Sequence, residues 1–228
     1  MKRTLVSLYA ATILALPLAA GSVYAGTCGD SADAALECLK DGNARYVAEI
    51  GKTADLSDAR RHELAAGQHP FAIIVSCSDS RVPPEHVFDQ GLGDLFVIRV
   101  AGNVVEPVEL GSIEYAAEHL HTKLIVVLGH EKCGAVKAAI DTGGHAPGNI
   151  GAILKNIAPA VKEVQKTSTA TGDEFVNACV QANAHKTAAD LVKKSKVLAH
   201  MEHEGEIKIV VAEYMLGTGE VEFLDEHE

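Results

Sequence analysis

There is no tryptophan in this chain of 228 residues, and aromatic residues as a whole make up only 4% of it. That excludes a nucleic-acid cleft built on aromatic stacking platforms. Basic residues are also scarce. Lys and Arg number 20 against 31 Asp and Glu, a formal net charge of -11. A binder of phosphate backbones needs the opposite balance, so a nucleic-acid partner is not expected. Five cysteines are too few for a disulfide-dense scaffold of this length. Beyond the amino terminus no apolar run approaches the roughly 20 residues that a bilayer helix needs. What remains is an ordinary globular composition, 47% hydrophobic and 22% charged, long enough for one domain.

The first 25 residues read as an export signal. Lys2 and Arg3 give a short basic start, Leu5 to Ala20 an apolar core broken by Pro17, and Val23-Tyr24-Ala25 the small residues at a cleavage site. Cleavage after Ala25 leaves residues 26–228 as a single domain, in which 26–69 form a helical arm. Losing Lys2 and Arg3 takes the net charge from -11 to -13. The expected location is periplasmic or secreted, with no membrane contact in the mature form.

Along the mature chain, Leu36, Leu39, Tyr46 and Ile50 suggest an amphipathic helix from Asp30 to Glu49. Residues 51–69 are polar and read as a surface wrap. Three continuous apolar runs follow: Phe71 to Val75, Leu95 to Ile98 and Leu124 to Leu128. Segments apolar on both faces are what a buried parallel sheet requires. Leu110, Ile113, Ala117 and Leu120 recur at helical spacing after Pro107. One long helix is expected from about Asp173 to Ala199, then a fourth strand over Ile207–Val211. A turn at Gly217-Thr218-Gly219 leads into an edge strand over Glu220–Leu224. The expected fold is α/β: a mostly parallel central sheet of about four strands plus an antiparallel edge strand, flanked by helices.

In such sheets ligands gather beyond the carboxyl ends of the strands. The first apolar run ends in Ser76-Cys77-Ser78-Asp79-Ser80-Arg81, the third in Gly129-His130-Glu131-Lys132-Cys133-Gly134. Cys77, His130 and Cys133 are two soft thiolates and an imidazole, a set suited to Zn2+. Three protein ligands leave one tetrahedral position open to water, whose pKa zinc lowers toward ~7. Asp79 beside them could close that position itself. Arg81, two residues on, can instead hold the carboxylate in a bidentate pair and leave it free to orient the water.

These residues resemble the β-class carbonic anhydrases. The likeness rests on Cys77-Ser78-Asp79-Ser80-Arg81 with Gly129-His130-x-x-Cys133-Gly134. It extends through Leu36-x-x-Leu39-x-x-Gly42-Asn43-x-Arg45-Tyr46, Phe88-Asp89-Gln90-Gly91, Ala101-Gly102-Asn103 and Thr218-Gly219-x-Val221, covering about residues 31–224. The resemblance implies zinc-dependent, reversible hydration of carbon dioxide to bicarbonate and a proton. It implies Cys77, His130 and Cys133 as ligands, Asp79 and Arg81 as a gating dyad, and Gln90 lining the active cleft. It also implies a homodimer or homotetramer built through the amino-terminal helix. In one form of the family the Asp closes onto zinc, and bicarbonate in a second pocket stabilises that state. The pocket uses a Trp where this chain has Ile74, although Arg99 and Val82 match it. The missing Trp implies a site open at neutral pH. An alternative on the same ligands is a hydrolase of a carbon dioxide analogue such as carbonyl sulfide. A non-catalytic zinc or bicarbonate binder and a thiol oxidoreductase using Cys77 and Cys133 are rivals of other classes.

Three cysteines lie outside this set. Cys28 and Cys38 on one continuous helix would be ~15 Å apart and could not bridge. A disulfide between them requires the segment before Asp30 to fold back. Cys179 falls near the apolar face of the long helix and reads as a buried thiol. The pairs His119/His121 and His200/His203 read as surface residues, Gly143–Gly148 as a connector and the acidic tail 225–228 as solvated.

Overall fold

The computed structural model describes residues 27–51 and 55–224. Residues 1–25, read from sequence as an export signal, and the acidic tail 225–228 lie outside the described residues. Helix α1 (Ala32–Val47) starts where Ser31 accepts a hydrogen bond from the N–H of Ala34 at 3.0 Å. The short α2 (Asp58–Leu64) interrupts the expected surface wrap, capped by Ser57. Then come β1 (Ala72–Ser76), α3 (Pro84–Val87) and β2 (Leu95–Arg99). A tight turn at Ala101–Asn103 precedes α4 (Pro107–Glu114), which continues as a wider π turn over Tyr115–His119. The chain goes on through β3 (Leu124–His130), α5 (Gly134–Thr142), α6 (Ile150–Thr167), α7 (Gly172–Lys194), α8 (Lys196–His203), β4 (Lys208–Tyr214) and β5 (Val221–Phe223).

The sheet order is β2-β1-β3-β4-β5. The first four strands are mutually parallel and β5 is antiparallel to β4. Every residue of β1 and β3 is buried, so their unbroken apolar runs follow from having a layer on each side. Ile73, Val75, Ile125, Val127 and Val211 face α4, α7 and α8. Ile74, Val126, Leu128, Val210 and Ala212 face α1 and α3, meeting Leu36, Leu39, Val87 and Phe88. Helix α1 therefore packs on its own sheet, while Val47 and Ile50 at its carboxyl end stay exposed.

The long helix expected over 173–199 is two helices. Ser195 turns extended (φ -112°, ψ 117°), ends α7 and caps α8 by accepting the N–H of Leu198 at 3.1 Å. Its hydroxyl also donates to Glu114. The apolar spacing did not reveal the break because Leu191 and Leu198 are buried on both sides of it. Helix α6, which the apolar spacing did not reveal, follows the Gly143–Gly148 connector.

Two packing features give measurable expectations. Gly42 on α1 lies against α3: a Cβ there would sit 1.9 Å from the carbonyl oxygen of Phe88, a backbone atom that cannot swing away. Gly42→Ala is expected to cost about 1–3 kcal/mol through overpacking, read as a lowered urea midpoint. The second is Glu213 on β4, which is 1% exposed. Burial pushes its carboxyl up. Gln181 Nε2 at 2.8 Å and Asn177 Nδ2 at 3.2 Å pull it back by donating to Oε2, and Glu131 and Glu222 add to the rise. A folded-state pKa above the unfolded one gives stability present below the unfolded pKa and lost as pH rises through the folded value. Glu213→Gln is expected to be more stable than the native chain above neutral pH, with the advantage shrinking in acid. Urea midpoints across pH check it.

Candidate metal centre

The parallel pairing of β1 with β3 brings the two motif ends side by side. Ser76 is in register with Leu128, so Cys77 emerges beside the last residues of β3. His130 is the final residue of β3 and is fully buried. The chain then turns sharply, with Lys132 in the left-handed region at φ 52°, and Cys133 becomes the cap of α5. The ligand atoms of Cys77, His130 and Cys133 all lie within 4.8 Å of one another, and all three residues are buried. Both sulfurs sit in an apolar cluster with Val136 of α5, Ile157 of α6 and Val180 of α7.

His130 Nδ1 lies 2.8 Å from the carbonyl oxygen of Glu131. A carbonyl only accepts, so Nδ1 carries the proton and Nε2 is left as the basic nitrogen. That Nε2 is buried without a hydrogen-bond partner. A buried imidazole nitrogen facing two cysteine sulfurs fits a thiophilic metal ion. Hydrogen bonding from Cys133 pulls the Cys77 thiol down against the effect of burial, helped by His130 and by the N–H of Gly102 at 3.2 Å from Sγ. Cys133 moves up, because its thiol is hydrogen-bonded to the Cys77 sulfur, and burial and the negative charge on that sulfur add to the rise.

Asp79 lies at the mouth of the cluster, held in a fork by Arg81. Arg81 Nε donates to Oδ1 at 2.9 Å and Nη2 to Oδ2 at 2.7 Å, while the Arg81 N–H reaches Oδ1 at 3.0 Å. This fork holds the Asp79 carboxyl well below the usual carboxylate range, against burial and with help from His130. Asp79 Oδ2 stands 3.9 Å from His130 Nε2. Arg99, noted from sequence only as a match to a second pocket, clamps the ligand loop: Nε donates to the carbonyl of Cys77 at 2.9 Å and Nη2 to that of Asp79 at 2.6 Å. Ile74 and Val82 are fully buried. Gln90 Nε2 donates to the carbonyl of Phe88 at 2.6 Å and packs over Gly42 of α1.

A family model described as "Carbonic anhydrase" matches residues 72–221, from the first residue of β1 to the first of β5. The chain belongs to the β-carbonic anhydrases. Carbonic anhydrase 2 of Mycobacterium tuberculosis is 42% identical over 189 residues, covering 82% of this chain and 89% of that protein. The crystal structure of the β-carbonic anhydrase CafA of Aspergillus fumigatus superposes with a TM-score of 0.67 at 30% identity, over 86% of this chain and 91% of that one. One of two tetrameric β-carbonic anhydrases from Sordaria macrospora gives 0.67 at 25% identity, covering 85% and 98%. The mostly parallel sheet with one antiparallel edge pair is the architecture these enzymes share. The Cys-His-Cys cluster of this anhydrase is accordingly its candidate metal centre.

The remaining sequence-picked residues lie elsewhere. Cys28 and Cys38 are joined in a disulfide, with Cα atoms 5.8 Å apart, because Thr27–Asp30 turns back along α1. Cys179 is a buried free thiol, pushed up to about 11 by burial. His119, His121, His200 and His203 are exposed. His121 and His200 border a cavity of about 970 Å³ with Lys123, Val197 and Met201. That cavity opens at the start of β3, the opposite end from His130, so it is not the metal centre. Among the described residues no helix is long and apolar enough to cross a membrane.

Proposed function

We propose that this anhydrase catalyses the reversible hydration of carbon dioxide to bicarbonate and a proton, with zinc held by Cys77, His130 and Cys133. The observation that carries the reading is the buried, partnerless Nε2 of His130 beside two cysteine sulfurs, with a carboxylate 3.9 Å away tied to an arginine. A zinc ion in that place would supply a hydroxide nucleophile near neutral pH, because zinc lowers the pKa of water toward about 7. The protein's own part is division of labour. Cys77, Cys133 and His130 would hold the ion, and three protein ligands would leave one position for the reaction. Glu131 fixes the histidine tautomer. Arg81 would keep the Asp79 carboxylate off the open position, so that its lone pairs could accept a hydrogen bond from the nucleophile and aim it.

The apolar wall of Val104 and Val136 beside the sulfurs suits a small, uncharged substrate. The reading assigns Gln90 to the substrate cleft on the strength of the family resemblance. An assembly of two or four copies is supported by the tetrameric Sordaria relatives. Export to an oxidising compartment is supported by the Cys28–Cys38 bond, which a reducing cytosol would not maintain. The test is stopped-flow hydration of carbon dioxide by the purified protein at measured zinc contents. Turnover is expected to rise in proportion to bound zinc and to vanish on chelation. A zinc-loaded protein without hydration activity, or a metal-free one with full activity, overturns the reading.

A further inference from the structure

Asparagine 183 occupies a place that packing alone would give to an aliphatic residue. It lies in the middle of α7, fully buried, with Val180 and Ala184 on the same side of the helix also buried. Its Oδ1 has no hydrogen-bond partner, so the residue is kept at a cost in stability. Its Nδ2 makes one bond, donating to the carbonyl of Gly102 at 2.8 Å. Gly102 faces the metal centre with its other polar group: its N–H donates to Cys77 Sγ at 3.2 Å. The residue is also confined sideways. It adopts φ 71°, and a Cβ on it would lie 2.6 Å from Ile157 Cδ1 of α6.

A continuous line therefore runs from the core of α7 through one glycine to a ligand sulfur. The turn at Ala101–Asn103 has one backbone bond of its own, from the Asn103 N–H to the Val100 carbonyl at 2.9 Å, and its left-handed residues Gly102 and Asn103 leave the direction of the Gly102 N–H to a further restraint. The amide of Asn183 supplies that restraint. We propose that Asn183 is a positioning residue of the metal centre: it anchors the Gly102 carbonyl and so holds the Gly102 N–H on the Cys77 sulfur. An N–H on a thiolate withdraws electron density from it and orients its lone pairs, which tunes how the sulfur binds a metal. The inference rests on the reading that Cys77, His130 and Cys133 bind zinc.

Asn183→Leu replaces the amide with an apolar group of similar size. Zinc affinity of the full chain is read by competition with a chromophoric chelator. The cobalt(II)-substituted protein reports the sulfur directly through its thiolate-to-metal charge-transfer band. The variant is expected to bind zinc roughly 10–100-fold more weakly and to shift that band to lower energy. Leu191→Ala, a buried truncation farther along α7 in the core cluster that holds no ligand, controls for lost packing and is expected to lower the melting temperature without moving either readout. Asn183→Leu with native affinity and a native cobalt spectrum overturns the inference. If the leucine variant does not fold, Asn183→Ala is judged by the same two readouts. A wild-type protein that takes up no zinc overturns the proposed function itself, and the inference with it.

Discussion

His130→Ala is expected to give a folded protein that holds no zinc and hydrates carbon dioxide no faster than buffer. The imidazole is fully buried at the end of a central strand, and its Nε2 has no role in the hydrogen-bonding of the fold. Its removal takes away the only nitrogen ligand and leaves two thiols, too few to define a tetrahedral site with one open position. The sheet does not depend on the side chain, because β3 is held by backbone pairing to β1 and β4 along its length. Metal analysis, stopped-flow hydration and far-UV circular dichroism on one preparation check all three parts. Near-native turnover by a zinc-free variant would remove His130 from the centre.

Asp79→Asn is expected to keep the zinc and lose turnover by roughly 10²–10⁴-fold, the range for removing a side chain positioned on the reacting group's proton. The native carboxylate accepts three hydrogen bonds from Arg81 and still presents Oδ2 at 3.9 Å from His130 Nε2. An amide of the same shape turns an N–H toward one of those donors and loses the negative charge. Arg81→Ala is expected to lower turnover by a different route. It frees a carboxylate already beside the cluster to take the open metal position. Cobalt substitution separates the two: the Asp79→Asn spectrum stays close to native, and the Arg81→Ala spectrum changes with the ligand set. Unchanged turnover in Asp79→Asn would sink the role given to the carboxylate.

The fold was readable to a large extent because its core strands are buried on both faces. Such strands must be written as unbroken apolar runs, and Ala72–Ser76 and Leu124–His130 are. The same local logic exposed α1 and the edge strand β5. It failed where two structures share one apolar spacing. Leu191 and Leu198 read as one face of one helix, although Ser195 divides them. The roles of Gly42, Arg99 and Asn183 were also out of reach, since each is defined by a backbone atom distant in the chain: the carbonyls of Phe88, Cys77 and Gly102.

Tryptophan's absence and the acid excess narrowed the classes, and two strand-end motifs about fifty residues apart named the ligand set and its Asp-Arg companion. Residue identity and spacing determine that much, because ligand chemistry belongs to side-chain type and a strand followed by a turn fixes direction locally. Three things were decided only in three dimensions. Parallel pairing of β1 with β3 set the ligand separation. The return of Thr27–Asp30 along α1 allowed Cys28 to reach Cys38, which a straight helix forbids. The loop that carries Cys77 and Asp79 is held by Arg99 of β2, which donates to the carbonyls of both. Each depends on how separate segments pack against one another, which residue spacing alone does not show.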